Sequence, residues 1–441
     1  MKLRHLILSL CIFLPWLAQA QADSCKNHFS VGLVFSARGE YRGGGLPKPQ
    51  TPDAVIEDRS HFLWARTRLV LGYERSWLET RAVIQNSAVW GMKGNMALNL
   101  YEGWVKAKAP FGLFGQVGRI ALSYDDERII GPNDFAMTAK SHDVLRLGYE
   151  GHGHRFHVIL AYNQDADNPE TGTFYSQGPY PYKTMHVGWY HYDVPVFPLG
   201  VSLLFMNTGL QAGSANQNPH IVYQQLVGGY LAFKPKYFGL EGSFYYQFGN
   251  FGQAGEDGSI PVRAWMASVK AVGKPFPFLH AELGYDYLSG DDYVSVPLPG
   301  ALGVPQHKVL KGFTPIYGST FKFYGMMDYF YESAYIQGFT PGLQNAFVGV
   351  HARPVKPLSL SLTYHYLAVA TQLKDLSRTL GHSLELESCY QFTKDIAFSA
   401  GFTFMAGTET MERLKQSTGS KYVTWGWFSL KVSPTIFSWK W

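Results

Sequence analysis

Apolar and polar residues take turns along most of this chain. Over 62–74, Leu63, Ala65, Thr67, Leu69, Leu71 and Tyr73 fall on one side of a period-two pattern, and Arg66, Arg68 and Glu74 on the other. Over 357–369, Leu358, Leu360, Leu362, Tyr364 and Tyr366 alternate with Ser359, Ser361, Thr363 and His365. The same rhythm sets Leu240, Phe244, Tyr246 and Phe248 against Glu241, Ser243, Tyr245 and Gln247, and Ile396, Phe398, Phe402 and Phe404 against Ala397, Ser399, Gly401 and Thr403. Successive side chains of a strand point to opposite faces, so each segment predicts a strand with one apolar and one wetter face. A single strand of this kind could cover an ordinary core. Repetition along the chain, with Tyr, Phe and Trp gathered at segment ends, predicts an all-β transmembrane antiparallel barrel with aromatic girdles.

The connections set the topology. Eighteen strands are expected, from 29–40 to 421–433, with 111–123 and 260–273 among them. Tight links such as Ala109-Pro110, 195–198 and 354–357 alternate with long ones rich in Gly, Asn, Asp and Ser. Proline has no N–H to give a ladder, so its place is in turns. The asymmetry is that of short periplasmic turns and long extracellular loops. Residues 323–336 could be read as a further strand, but counting it would reverse every later short and long link. They are therefore placed in one loop, 289–341, far beyond the roughly 15 residues at which loops are usually functional or disordered. Eighteen strands leave room for an aqueous channel. Past the last strand, Phe437, Trp439 and Trp441 alternate with Ile436, Ser438 and Lys440. This fits the terminal aromatic signal read by the barrel assembly machinery; the other reading is a short apolar tail.

Composition agrees. Aromatic and charged residues each make up 16%, where soluble proteins carry about 25% charged residues. Mean hydropathy is nevertheless −0.11. Lys2, Arg4, the apolar run Leu6–Leu17 and Ala18-Gln19-Ala20 read as an export signal over 1–20. That run is shorter than the about 20 residues of a membrane-spanning helix. Residues 21–441 then form one barrel. The formal net charge is +5, two of it from Lys2 and Arg4, too mild to imply nucleic acid. Cys25 and Cys389 follow the signal, and nothing in their spacing supports a disulfide. The expected partners are outer-membrane lipid, the assembly machinery and a small hydrophilic solute, for a monomer without cofactor or metal.

With apolar positions toward lipid, the opposite parity lines the pore. Early strands then supply Arg66, Arg68, Arg81, Lys106, Lys108, Arg119, Arg146 and Arg155, with Glu74, Glu79, Glu102 and Glu150 among them. Later strands supply Glu241, Glu282, Asp286, Glu385 and Glu387, with Arg263 as the main positive exception; Arg128 joins the set from the connection after 111–123. Two readings stand: a basic wall opposite an acidic wall with a field between them, or charges that solvate a wet lumen and pair with one another. Loop 289–341 carries Tyr317, Phe323, Tyr324, Asp328 and Tyr329. It is too apolar to lie free in water, so it either folds into the mouth and constricts the pore or forms an outer cap.

Several segments resemble the alginate export family of outer-membrane porins. They are Arg66-Thr67-Arg68-Leu69 with Gly72-Tyr73-Glu74, and the run from Gly118-Arg119 to Asp125-Asp126-Glu127-Arg128. Further on, Phe313-Thr314-Pro315-Ile316-Tyr317-Gly318, Lys322-Phe323-Tyr324-Gly325 and Met327-Asp328-Tyr329-Phe330 are similar to a stretch in Bacteroidetes-type homologues. Tyr364-His365-Tyr366 and Leu380 to Glu385 fit as well. The resemblance implies an 18-stranded monomeric porin. Alginate itself is not implied, because the acids of the later strands depart from a lumen dominated by positive charge.

Ser141, His142, Asp143, His152, His154 and His157 cluster in sequence. Their spacing matches neither a zinc site nor a triad in order, and a wet patch at girdle level accounts for them. Asp125-Asp126-Glu127, Asp165 with Asp167, and Asp291-Asp292 are expected in external loops, as solvated turn acids or as oxygen ligands for calcium. The leading expectation is a passive porin for hydrophilic solutes, anionic ones included, such as an oligosaccharide or an organic acid. The alternatives are an adhesion or assembly barrel with a blocked lumen, and a barrel hydrolase.

Overall fold

A computed structural model of the chain describes residues 27–44, 59–92, 96–164, 180, 182–213, 218–252, 258–291, 309–315, 317–327, 340–373, 375–415 and 421–441. The expected export signal, Cys25, Asp165, Asp167, Asp292, Asp328 and Tyr329 lie outside them. Among the described residues the strands are β1 (His28–Gly43), β2 (Arg59–Arg75), β3 (Leu78–Val89), β4 (Met96–Lys108), β5 (Leu113–Ile120) and β6 (His142–Gly151). They continue as β7 (His154–Tyr162), β8 (Tyr182–Asp193), β9 (Leu199–Ala212), β10 (His220–Phe233), β11 (Phe238–Gly252), β12 (Ser259–Phe276) and β13 (Leu279–Leu288). The remainder are β14 (Leu343–Val355), β15 (Leu358–Ala368), β16 (Thr379–Gln391), β17 (Ile396–Gly407), β18 (Tyr422–Val432) and β19 (Thr435–Lys440). Each pairs antiparallel with its sequence neighbours, apart from the break between β18 and β19, and β1 closes the sheet on both of these.

Strands β18 and β19 are two halves of one stave, so the barrel has eighteen. Pro434 interrupts the ladder because it lacks an N–H, and its carbonyl instead accepts from Leu33 N at 3.1 Å. The register slips there and parity flips with it. Phe428 faces out from β18, and Phe437 and Trp439 face out from β19. Of the two readings of 436–441, the apolar tail is corrected: 435–440 are paired strand, with Trp439 opposite Phe29.

The outer face is a band of exposed Leu, Val, Ile and Phe, among them Ile84, Val117, Leu203, Phe244, Leu283, Val350, Leu386 and Phe402. An apolar ring around the whole molecule is stable only against hydrocarbon. Aromatic stacks border the band near the short turns: Phe197 on Phe233 at 5.0 Å, Phe276 on Phe278 at 5.5 Å and Trp439 on Trp441 at 4.6 Å. Of these, Trp439 and Trp441 carry a ring N–H beside an apolar body, which suits them to the interface.

The interior departs from a uniformly wet lumen. Strand β5 stops at Ile120, short of the expected 123, and residues 121–141 turn inward. They meet the described parts of the long loop, 309–315 and 317–327, inside the loop end of the barrel. Leu122, Ile129, Ile130, Phe313, Tyr317 and Tyr324 are all buried there. They pack on inward-facing Ile159, Met185, Leu204, Met206, Val262 and Met266 of the wall. The molecule therefore has a hydrophobic core at its loop end and a polar cavity at its turn end.

Candidate functional site: the barrel interior

The two inserted segments form a plug joined backbone to backbone. Ile130 and Tyr317 make a parallel bridge; Gly131 N donates to Tyr317 O, and Ser319 N to Glu127 O, each at 2.9 Å. A Cβ at Gly318 would lie 2.2 Å from the Arg128 carbonyl oxygen, and one at Gly131 2.5 Å from Ser319 Oγ. Only glycine permits so close an approach.

The plug carries charges opposite to those of the walls it touches. On one side, Arg66 donates to the carbonyls of Asp134 and Ala136 at 3.1 and 3.0 Å, and Arg68 to the Asp134 carboxylate at 2.7 Å. Arg38 reaches the Phe135 carbonyl at 3.1 Å and lies over its ring. On the other side, Arg128 leaves the plug for β12 and β13. It meets Asp286 at 3.1 Å, Ser268 Oγ at 3.0 Å and Tyr324 Oη at 3.0 Å. Burial alone would lower the Arg128 pKa, but Asp286, Tyr324 and Asp126 outweigh it and hold the guanidinium charged. Burial also pushes the Asp125 carboxyl up, against hydrogen bonds from Ser202 and Trp189 that pull it down.

The expected acids 125–127 are therefore neither external nor solvated. Asp126 pairs with Arg128, and Glu127 with Lys322. Asp291 accepts from Lys311 N and Gly312 N at 2.6 and 2.9 Å and so anchors the long loop.

Most sequence-predicted pore residues point inward. Arg81 pairs with Glu102 at 3.4 Å, and Arg146 bonds Gln116. Glu282 pairs with His351 at 3.1 Å, while Glu385 accepts from Met326 N at 2.9 Å. Tyr317 and Tyr324 are buried in the plug, and Phe323 lies under Arg128 at 4.0 Å. Two expectations are corrected. Arg119 shares parity with Leu113 and Val117 and lies on the outer face, tied to Asp143 at 2.6 Å. Arg263 shares parity with Trp265 and Val269 and is likewise outward. In both strands the plug core makes the inward face apolar, so polarity no longer reports direction. Sequence reasoning also missed Arg38, Glu40, Asp134 and Lys270. Glu40 gathers Arg38, Arg42, Trp64 and Trp425 across the closing seam. Lys270 bridges Glu241 at 3.2 Å and Glu282 at 4.0 Å, and parity alone could have found it. The histidine cluster is divided by the wall: His142 and His157 are buried inside, while Asp143 faces out.

Three cavities are lined by inward-facing described residues below the plug; one, of about 380 Å³, lies near the turns between His280, His351, Ser361, Glu387 and Trp427, and the other two reach up to the plug. One, of about 390 Å³, is lined by Glu241, Glu282, Glu385, Glu387, Lys270 and Lys322 with Phe321, Phe323 and Phe347. The other, of about 620 Å³, is lined by Arg146, Arg155, Lys234, His157, His191 and Trp189 with Glu150 and Asp193. Tyr230 borders both.

No family model matches the chain, and no curated protein sequence matches it. Solved structures do. The chain is similar to OccAB1 of Acinetobacter baumannii, with a TM-score of 0.60 at 11% identity over 93% of this chain and 97% of that one. It is similar to a BenF-like porin of Pseudomonas fluorescens Pf-5 (0.58, 12%, 92% and 99%) and to OccK5 (OpdH) of Pseudomonas aeruginosa (0.56, 11%, 92% and 99%). The fold is thus the 18-stave barrel of outer-membrane porins. These neighbours are Occ and BenF-like porins, so the alginate-family resemblance rests on the sequence motifs alone.

Proposed function

We propose that this chain is a passive outer-membrane channel for small hydrophilic solutes. The observation that carries the reading is that charged side chains face water on both plug and wall. On the plug, Asp134 keeps 48% of its side chain exposed and Lys322 41%. On the wall, Arg155 and Lys234 stand open in the larger cavity. A lumen meant only to be sealed gains nothing from charges left in water, whereas a permeation path needs them. Arg146, Arg155 and Lys234 give anions a favourable stretch, and Glu241, Glu282, Glu385 and Glu387 give cations another. Arg66 and Arg68 act by seating the plug rather than by meeting solute. The alginate-type motifs add the expectation that sugar-like solutes are among those admitted.

Purified protein in planar bilayers should show ohmic steps. Neutralising Arg155 and Lys234 together should move the reversal potential toward cation preference; an unmoved potential contradicts the selectivity assignment. The buried plug core favours one competing reading, a blocked barrel that serves adhesion or assembly. Bilayers that stay silent would favour that reading.

A further inference from the structure

Four consecutive tight turns gather positive charge on one side of the rim. They are 234–238, 274–278, 353–357 and 392–395, which link β10 to β11, β12 to β13, β14 to β15 and β16 to β17. Backbone bonds run from each turn to the next. Lys274 N donates to the Tyr237 carbonyl at 2.8 Å, Arg353 N to that of Phe278 at 2.7 Å, and Gln391 N to that of Pro357 at 2.8 Å. The turns thus form one continuous arc, which holds six cations and the single carboxylate of Asp395. Lys234 is taken by Glu241 at 2.9 Å, and Arg353 borders the turn-end cavity. Lys236, Lys274, Lys356 and Lys394 have no ion pair among the described residues. Each of them stands within two residues of an exposed apolar side chain: Tyr237, Phe276, Val355 and Phe392 respectively. Lys236 lies over the Tyr237 ring at 5.1 Å. Further round the rim the balance is different: 150–155 and 193–199 hold no lysine, and Arg155 is taken by Asp193.

We infer that this arc is a docking surface for anionic phospholipid headgroups of the periplasmic leaflet. The placing of the lysines selects a lipid over a soluble polyanion. They sit where the aromatic border of the hydrocarbon-facing band ends, and a lysine there lays its stem on apolar neighbours and carries its ammonium to the level of phosphate. The open rings of Phe276, Phe278 and Phe392 would stay in water beside a soluble polyanion, an unfavourable place for them. Against a leaflet they rest in the headgroup zone. A zwitterionic headgroup brings the lysines no net charge. An anionic one does, at roughly fivefold in binding for each basic residue near the surface. The arc lies outside the lumen, so its role is independent of conduction.

The test is lipid selection by the full barrel in phosphatidylcholine vesicles. Electron spin resonance reads the motionally restricted fraction of spin-labelled phosphatidylglycerol or phosphatidylcholine, each added in trace amount. Phosphatidylglycerol should be favoured about threefold at low salt, less than the local factor because the arc meets only part of the lipid shell. The preference should vanish at about 1 M salt, where the screening length is about 3 Å. Lys236→Gln, Lys274→Gln, Lys356→Gln and Lys394→Gln made together should bring the two lipids level, and lysine-to-arginine changes at the same four positions should keep the preference. Arg263→Gln, on the outer face nearer the loops, should leave it in place. Equal restriction of the two lipids by the unaltered protein overturns the inference, as does a preference that survives the fourfold glutamine change or is lost with Arg263 alone. Binding of soluble polyglutamate in detergent without any lipid preference overturns it too, in favour of a soluble acidic partner. The comparison of the two lipids on the unaltered protein, with its salt dependence, decides even where a variant fails to fold.

Discussion

Arg128 ties the plug to the wall through one guanidinium that meets two carboxylates, a phenol and a serine. Its side chain is 6% exposed and that of Asp286 1%. Breaking a buried ion pair from one side leaves a charge without compensation, at a cost of roughly 3–5 kcal/mol. Arg128→Met should therefore loosen the plug and raise single-channel conductance and its noise, while Lys322→Met, at an exposed pair, should change them little. Equal effects from the two would contradict the anchoring role. Asp125 gives a prediction with a sign. Burial raises its pKa in the fold, so ionisation opposes folding once pH exceeds the ordinary carboxylate range. Asp125→Asn keeps the acceptor for Trp189 and should raise the unfolding temperature at pH 7, read as the shift of heat-modified mobility on gels. The gain should vanish below about pH 4, where the acid is neutral in both states. A gain of the same size at both pH values would contradict it. At this scale sequence gave direction well only where polarity was undivided. Arg66, Arg68 and Glu241 lie on the inward parity, opposite their apolar neighbours. Arg119 and Arg263 do not, because Ile120, Val262, Ala264 and Met266 present apolar side chains to the plug.

Among elements, the strands were legible and the inserted segments were not. A strand writes its two faces into a period of two, and seventeen tight or long links punctuate the staves, so even β14 (Leu343–Val355) after the long loop was placed within a few residues. Segment 121–141 leaves no such mark. Its run of acids resembles any solvated turn, and the apolar residues that seat it, Ile129, Ile130, Phe135 and Met137, are scattered. The aromatic load of the long loop was the stronger signal, and Phe313, Tyr317 and Tyr324 are buried accordingly. What sequence could not offer was that the two segments hold each other. Gly318→Val tests this, since its side chain would collide with the Arg128 carbonyl. Separation of the segments should widen the lumen and raise conductance, to a degree similar to deletion of 309–327. Unchanged conductance in both variants would mean that the plug does not limit the path.

For the molecule as a whole, closure and filling are separate problems. Closure comes from β1 meeting both halves of the last stave, with Glu40 bonded to Trp64 on one side of the seam and Trp425 on the other. Filling comes from the two plug connections, joined by Leu373 of the link after β15 and by Met411 and Leu414 of the link after β17, and the turn end is left to water. Fold and proposed function both depend on which medium each face of the wall meets. Single cysteines placed at Leu283 and Phe402 on the outer face, and at Ser361 and Thr363 on the inner face, report this directly once the native cysteines are removed. In lipid vesicles, a charged, water-soluble thiol reagent should label positions 361 and 363 and spare 283 and 402, while a lipid-soluble reagent should do the reverse. Labelling of all four by the charged reagent, or of 283 and 402 in preference to 361 and 363, would contradict a barrel with hydrocarbon outside and water within.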